Sequence, residues 1–241
     1  MVTVDRFLVL FSRDPGREAR AKGFGVSAED LFTAFARGWE EAARRSRARL
    51  VIATPPEDLA AWRVRLPAPE VLWMTQRGSS FGKRLEGVAR RAATFPGRVV
   101  LVGGDVAPNG SALREAFDAL ERGADAVLAP AADGGVSLLS LGASDLDLLA
   151  RLAPRQGDAM TWLEGRLKNR GRSVARVAAA PDVDGRVSLR ALVRGFVNGE
   201  IRALARFVLR FRLTLPRRAI RRLRARGLDN PSGLRAPPAP A

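Results

Sequence analysis

The 241-residue chain contains no cysteine and no histidine. These two absences exclude a zinc finger, any histidine-ligated metal, a cysteine nucleophile, a disulfide framework and a Ser-His-Asp triad. A metal could sit only on oxygen ligands, and an acid or base could only be Asp, Glu, Lys or water. Lysine is scarce as well: Lys22, Lys83 and Lys168 are the only three, so the 41 basic residues are almost all arginine. Genomic base composition explains that bias as readily as selection for guanidinium chemistry does. Against 25 acidic residues the formal charge is +16, with a pI near 11.7, and such a chain attracts anions. Also missing is any apolar run approaching the roughly 18 residues of a membrane span. The opening Met1-Val2-Thr3-Val4-Asp5-Arg6 lacks the basic-then-apolar order of a signal peptide. A soluble, cytoplasmic protein with one mid-sized domain and an appendage is the expectation.

What is present is a rhythm. Short apolar runs alternate with amphipathic stretches, the pattern of a sheet covered by helices. Strands are expected at Phe7 to Phe11, Leu50 to Ala53, Val71 to Met74, Val99 to Val102 and Ala126 to Ala129. Helices are expected over Ala28 to Ser46, Gly82 to Thr94 and Ser111 to Arg122. The first strand ends in Ser12-Arg13-Asp14-Pro15-Gly16, which reads as a loop rich in breakers. Val136 to Leu141 follows its predecessor too closely for a crossover helix, so it adds antiparallel. A helix around Trp162 and Leu163, a strand over Val174 to Val177 and a helix starting at Val187 complete the body.

From about Gly195 the composition shifts to arginine. Val197, Ile201, Leu204 and Val208 recur at helical spacing, while Arg202, Arg206 and Arg210 occupy another face. This predicts a basic amphipathic helix, broken near Pro216, within an extension over residues 196–228, followed by a Pro-rich disordered tail over 229–241. Such a helix can pack on the body, lie peripherally on the anionic inner face of a membrane, or meet a partner. Nucleic acid is the weaker reading, because aromatics are 6% of the chain and no nucleic-acid motif is present.

Open α/β sheets bind ligands outside the carboxyl ends of their strands. Three carboxylate-bearing segments fall there: Gly103-Gly104-Asp105, Pro130-Ala131-Ala132-Asp133-Gly134-Gly135, and the late Pro181-Asp182-Val183-Asp184. Each alone is ordinary turn chemistry. Converging, they supply the hard oxygen ligands that Mg²⁺ or Mn²⁺ on a nucleotide diphosphate requires.

These segments, with Gln76-Arg77-Gly78-Ser79-Ser80-Phe81-Gly82-Lys83-Arg84-Leu85, resemble in order and spacing a bacterial family of rSAM/selenodomain-associated transferases. That family is distantly related to the 2-phospholactate guanylyltransferases and the molybdenum-cofactor nucleotidyltransferases. The resemblance covers about residues 6 to 195. It implies a GT-A-like nucleotide-diphospho-sugar transferase fold over residues 1–195, with a mostly parallel sheet flanked by helices. It also implies a glycosyltransferase-like enzyme taking a nucleotide-sugar or nucleotide and using Mg²⁺ or Mn²⁺. The same-fold alternative is a nucleotidyltransferase releasing pyrophosphate; a non-catalytic binding module working through its Arg-rich tail is the other. By position the resemblance makes Asp105, Asp182 and Asp184 metal ligands and Asp133 the catalytic carboxylate. Gly134 and Gly135 then form the acceptor-side loop, and Arg13, Gly16, Arg17, Arg20, Lys22, Gln76 and Gly78 meet the nucleotide and its phosphates. Taken without it, Arg13 and Arg17 read equally as a solvated basic loop and Gln76 as a polar strand end. The chain departs from the family pattern after Pro15-Gly16-Arg17, where a Lys-Thr-Arg-Leu run is replaced by Glu18-Ala19-Arg20-Ala21-Lys22. It departs again at Ser80, Phe81, Val106-Ala107 and Val136. Arg20 and Lys22 supply basic charge in a shifted register.

Overall fold

A strand buried on both faces needs apolar residues at every position rather than at alternate ones. Phe7, Leu8, Val9 and Leu10 meet that requirement in β1 (Arg6–Phe11), and all four are buried. Six further strands join it: β2 (Arg49–Thr54), β3 (Leu72–Thr75), β4 (Arg98–Gly103), β5 (Ala126–Pro130), β6 (Val136–Leu141) and β7 (Val174–Arg176). The helices are α1 (Pro15–Ala21), α2 (Glu29–Arg45), α3 (Leu59–Arg65), α4 (Phe81–Ala92), α5 (Gly110–Glu121) and α6 (Ala159–Asn169). The computed structural model describes residues 6–24, 29–153, 157–179, 181–185 and 188. The expected helix from Val187, the basic extension over 196–228 and the tail over 229–241 lie outside the described residues. No helix among the described residues is long and apolar enough to cross a membrane.

The strand order is β3-β2-β1-β4-β6-β5-β7, parallel except for β6. β6 runs antiparallel to both neighbours, as its short connection from β5 dictates. Side-chain alternation splits the core in two. Leu8, Leu10, Ile52 and Val102 face α2 and α5, against Trp39, Leu113 and Phe117. Phe7, Val9, Val51 and Leu101 face α4, α6 and a 3₁₀ segment over Ala143–Arg151, against Val88, Leu149 and Leu163. Trp39 is fully buried and donates its indole N–H to the Val106 carbonyl at 2.9 Å, so α2 anchors the loop that follows β4.

One stretch departs from the expectation. Residues 13–17 are not a plain loop, because Asp14 caps a helix that starts at Pro15. The Asp14 carboxylate accepts from the Gly16 and Arg17 amides at 3.0 and 3.1 Å. Proline is suited to a first helical position, so Asp-Pro-Gly is here a start signal rather than a break. The short α3 and the 3₁₀ segment carry too few turns to announce themselves by periodicity.

The chain steps from β1 outward to β3, then crosses to β4 on the other side of β1. This reversal opens a crevice between the carboxyl ends of β1 and β4. Their close approach there depends on a missing side chain. A Cβ on Gly104 would lie 2.1 Å from Ser12 Oγ and 2.3 Å from Ser12 Cβ. Gly104→Ala should therefore cost roughly 1–3 kcal/mol of overpacking. Gly165→Ala, inside α6 with nothing within 4 Å of the added Cβ, should instead stabilise by about 0.5–1 kcal/mol. Urea denaturation of the two variants checks both signs.

Candidate functional site

The crevice is a cleft of about 980 Å³ lined from the ends of β1 and β4, from α1 and the start of α4, and from the segments around Asp133 and Asp182. Its floor is braced by backbone groups. The Gly104 amide donates to the Phe11 carbonyl at 3.0 Å and the Ser12 amide to the Ala53 carbonyl at 3.0 Å. Gln76 is buried and its side-chain amide donates to the Ser12 and Ala53 carbonyls at 3.1 and 2.8 Å. It lines the cleft, but those donors hold the ends of β1 and β2 together. Gly78, at φ +145°, lies where a Cβ would meet the Arg84 amide at 2.8 Å, so the strand end lies close against the start of α4.

On the α1 side each arginine at the cleft has an acidic partner. Arg13 pairs with buried Glu18 at 2.9 Å. Arg17 reaches Asp58 at 2.8 Å and Glu57 at 2.9 Å, and Asp58 also accepts from the Asp14 amide at 2.9 Å. Burial pushes the Glu18 carboxyl up, the charge of Asp105 adds to that push, and Arg13 and Lys22 oppose it. Gly16 is buried beneath the cap, where a Cβ would come 3.1 Å from both Asp14 and Glu29 oxygens, and Arg20 is exposed. Neither is part of the cleft lining.

Lys22 is placed by the way α1 ends. The Gly23 amide donates to the Arg20 carbonyl and the Phe24 amide to the Ala19 carbonyl, with Gly23 at φ +73°. This is the Schellman arrangement, closed by Phe24 against Phe32. It fixes the Lys22 backbone at the helix cap and sends the side chain inward, 9% exposed, to Asp105 at 2.6 Å and to Asp184. Burial alone would lower the Lys22 pKa, but the charges and hydrogen bonds of Asp105 and Asp184 outweigh it and raise it.

Asp184 arrives from far along the chain because residues 181–184 run beside the loop after β4. Val106 and Asp182 form an antiparallel bridge, the Ala107 amide donates to the Pro181 carbonyl at 2.8 Å, and the Val183 amide to the Asp105 carbonyl at 2.9 Å. Val183 is fully buried, so Asp182 and Asp184 on either side of it are directed along the cleft. The third contributor is the turn before β6. The Gly135 amide donates to Asp133 at 2.8 Å. Gly134, at φ +86°, has its missing Cβ only 1.9 Å from the Gly157 carbonyl oxygen. The glycine here admits the Gly157 backbone, and it is Asp133 and Gly135 that line the cleft.

One carboxylate oxygen from each of Asp133, Asp182 and Asp184 lies within 4.8 Å of the others. Oxygens on opposite sides of one Mg²⁺ stand about 4.2 Å apart, so small side-chain movements would close this set on a cation. All-carboxylate donors are what a hard divalent ion takes. Burial first, then the hydrogen bond and charge of Asp184, push Asp182 up to about 7.

Three residues at the cleft go unnoticed in the sequence. Arg84 lines it from the first turn of α4, whose N-cap Ser80 accepts from the Lys83 amide at 3.2 Å. A capped helix opening directly after a strand end was the available signal. Glu18 and Glu57 are visible only once α1 and the turn before α3 are in place.

Sheet order, a single antiparallel strand and a cleft at the point of chain reversal define an α/β fold of the nucleotide-diphospho-sugar transferase type. A candidate nucleotide-diphospho-sugar transferase from Desulfovibrio desulfuricans G20 matches with a TM-score of 0.72, 22% identity, and coverage of 85% of this chain and 95% of its own. A candidate glucose-1-phosphate thymidylyltransferase from Bacillus anthracis, in complex with a sucrose, matches at 0.53, with 12% identity over 81% of this chain and 98% of its own. For the inositol-1-phosphate CTP transferase from T. maritima the values are 0.52, 10%, 77% and 92%. At such identities the likeness establishes the fold alone. In sequence, residues 39–153 match the model of a family described as an uncharacterized protein conserved in bacteria, DUF2064. That span contains Asp105 and Asp133 and lies between Lys22 and Asp182. No curated protein matches the chain.

Folding raises the Asp182 pKa above the ordinary carboxylate value near 3.9, so the folded state binds that proton more tightly than the unfolded one. In chelator, stability should therefore fall as pH rises through the window up to about 7. Asp182→Asn should flatten this part of the profile. Thermal melts of both proteins between pH 4 and 8 in EDTA decide it, and identical profiles would remove Asp182 as the source.

Proposed function

We propose that this chain is a divalent-metal-dependent transferase acting on a nucleotide-activated sugar. The observation that carries the reading is the charge of the cleft. In a chain of net charge +16, the described residues that line the cleft include six acidic side chains and four basic ones, Arg13, Arg17, Lys22 and Arg84. A diphosphate entering a net acidic cleft is repelled unless a cation enters with it. The three carboxylates near one point are suited to hold that cation, and the motif resemblance to rSAM/selenodomain-associated transferases supports the same donor chemistry.

Asp182 and Asp184 would hold the cation, with Asp133 closing the set on the solvent side. When bound, it would neutralise charge on the departing diphosphate. Arg84, which lines the cleft, would make a direct phosphate contact, whereas Arg13 and Arg17 are held in place by their acidic partners. Transfer requires an acceptor oxygen to form a bond to the anomeric carbon as the carbon–oxygen bond to the diphosphate breaks, its electron pair leaving with the phosphate. Asp133 is the exposed carboxylate of the cluster and the one an acceptor hydroxyl reaches first, so it would orient that hydroxyl and take its proton. Beyond it the lining turns apolar, through Val136, Leu152 and Ala159.

Calorimetry with UDP-, GDP-, ADP- and dTDP-sugars should find one donor that binds with Mn²⁺ or Mg²⁺ and not in EDTA. Asp182→Asn should abolish that binding, and Arg84→Ala should weaken it roughly tenfold to a hundredfold, the worth of one charge-assisted contact. Release of a nucleoside diphosphate identifies sugar transfer; release of pyrophosphate from a triphosphate identifies nucleotidyl transfer instead. If no nucleotide binds under any metal condition, the transferase reading fails.

A further inference from the structure

Among the described residues, Lys22 is the one cation ion-paired to carboxylates at the metal-binding end of the cleft. Its ammonium touches Asp105 at 2.6 Å and Asp184. These two residues come from segments almost 80 positions apart, and α1 comes from a third. The Schellman turn ties the Lys22 backbone to the end of α1. We propose that Lys22 is a built-in counter-cation that competes with the divalent metal for Asp184, so that metal binding requires its ammonium to withdraw. This rests on the metal-dependent reading above.

Two physical facts set the two occupancies against each other. An ammonium at hydrogen-bond distance from a carboxylate oxygen fills the space that a metal at about 2.1 Å from the same oxygen needs. Two cations on one carboxylate also repel each other at close range. Without a metal, withdrawal of Lys22 would leave Asp105, Asp182, Asp184 and Asp133 facing one another without an ammonium among them. The metal-free cleft therefore keeps its lysine. Metal and donor then act together, because the diphosphate that follows the metal offers the displaced ammonium a new partner. Lys22, at the cleft wall, can turn from carboxylate to phosphate without any change in the fold.

The test measures Mn²⁺ affinity of the full-length protein by electron paramagnetic resonance of the free ion, with no nucleotide present. Lys22→Gln should bind Mn²⁺ at least tenfold more tightly than wild type, while Lys22→Arg, which keeps the charge, should stay within about threefold of it. The melting temperature of Lys22→Gln should be lower than that of wild type in EDTA and should rise further on adding Mn²⁺. Because Lys22→Gln must survive carboxylate repulsion to fold, the comparison is repeated in an Asp105→Asn background, where the same tenfold difference is expected. Asp184→Asn should lose the ion in every background. Equal or weaker binding by Lys22→Gln overturns the competition while leaving metal dependence standing. Absence of Mn²⁺ binding from wild type and Lys22→Gln alike overturns both.

Discussion

Four carboxylates stand at one end of this cleft, and their mutual repulsion is the constraint that the surrounding structure answers. Asp105 follows β4, Asp133 precedes β6, and Asp182 and Asp184 come from a segment laid against residues 105–107. Such charges in a partly buried place favour protonation or a cation. Both responses are visible: Asp182 is pushed up to about 7, and Lys22 reaches in from the end of α1. Among the described residues that line the cleft, acids outnumber bases despite the basic balance of the chain.

The scaffold that assembles the charges is the chain reversal at β1. Because β2 and β3 lie to one side of β1 and β4 to the other, loops from both directions end at one crevice. Gly104 lets β4 close against Ser12, Gln76 ties β2 to β1 from beneath, and Trp39 holds the carbonyl of Val106. These contacts are buried. The charged side chains at the cleft thus stand on strand ends tied together by backbone and side-chain hydrogen bonds.

Much of the fold was legible because its signals are local. Each expected strand from Phe7 to Val177 corresponds to an observed one within one or two residues at either end, and the antiparallel entry of β6 followed from a connection too short to cross over. The breaker-rich stretch after β1 was not legible. Asp14-Pro15-Gly16 satisfies the rules for a turn and for a helix start equally, and only the Asp14 cap bonds distinguish them. That ambiguity hid Glu18, whose burial depends on α1 being helical. The three Asp-bearing loops could be named, yet their spacing along the chain carries no information about which oxygens meet. The packing of 181–184 beside 105–107 brings Asp182 and Asp184 to Asp133, while Asp105 turns to Lys22. Gly134 illustrates the same limit: the sequence shows a glycine beside a carboxylate, whereas the close approach it permits is to Gly157.

The position of Lys22 at the end of α1 has a structural reason in the helix itself. A lysine within the first turn of α1 would have its ammonium near the helix N-terminus, where the macrodipole disfavours positive charge and Asp14 already serves the free amides. At the C-terminal cap the dipole favours a cation, and the left-handed Gly23 turns the chain away immediately afterwards. Lys22 therefore occupies the end of α1 that tolerates its charge, and from there it spans to Asp105 and Asp184. A lysine here, rather than one turn earlier in the helix, stands beside the carboxylates of Asp105 and Asp184.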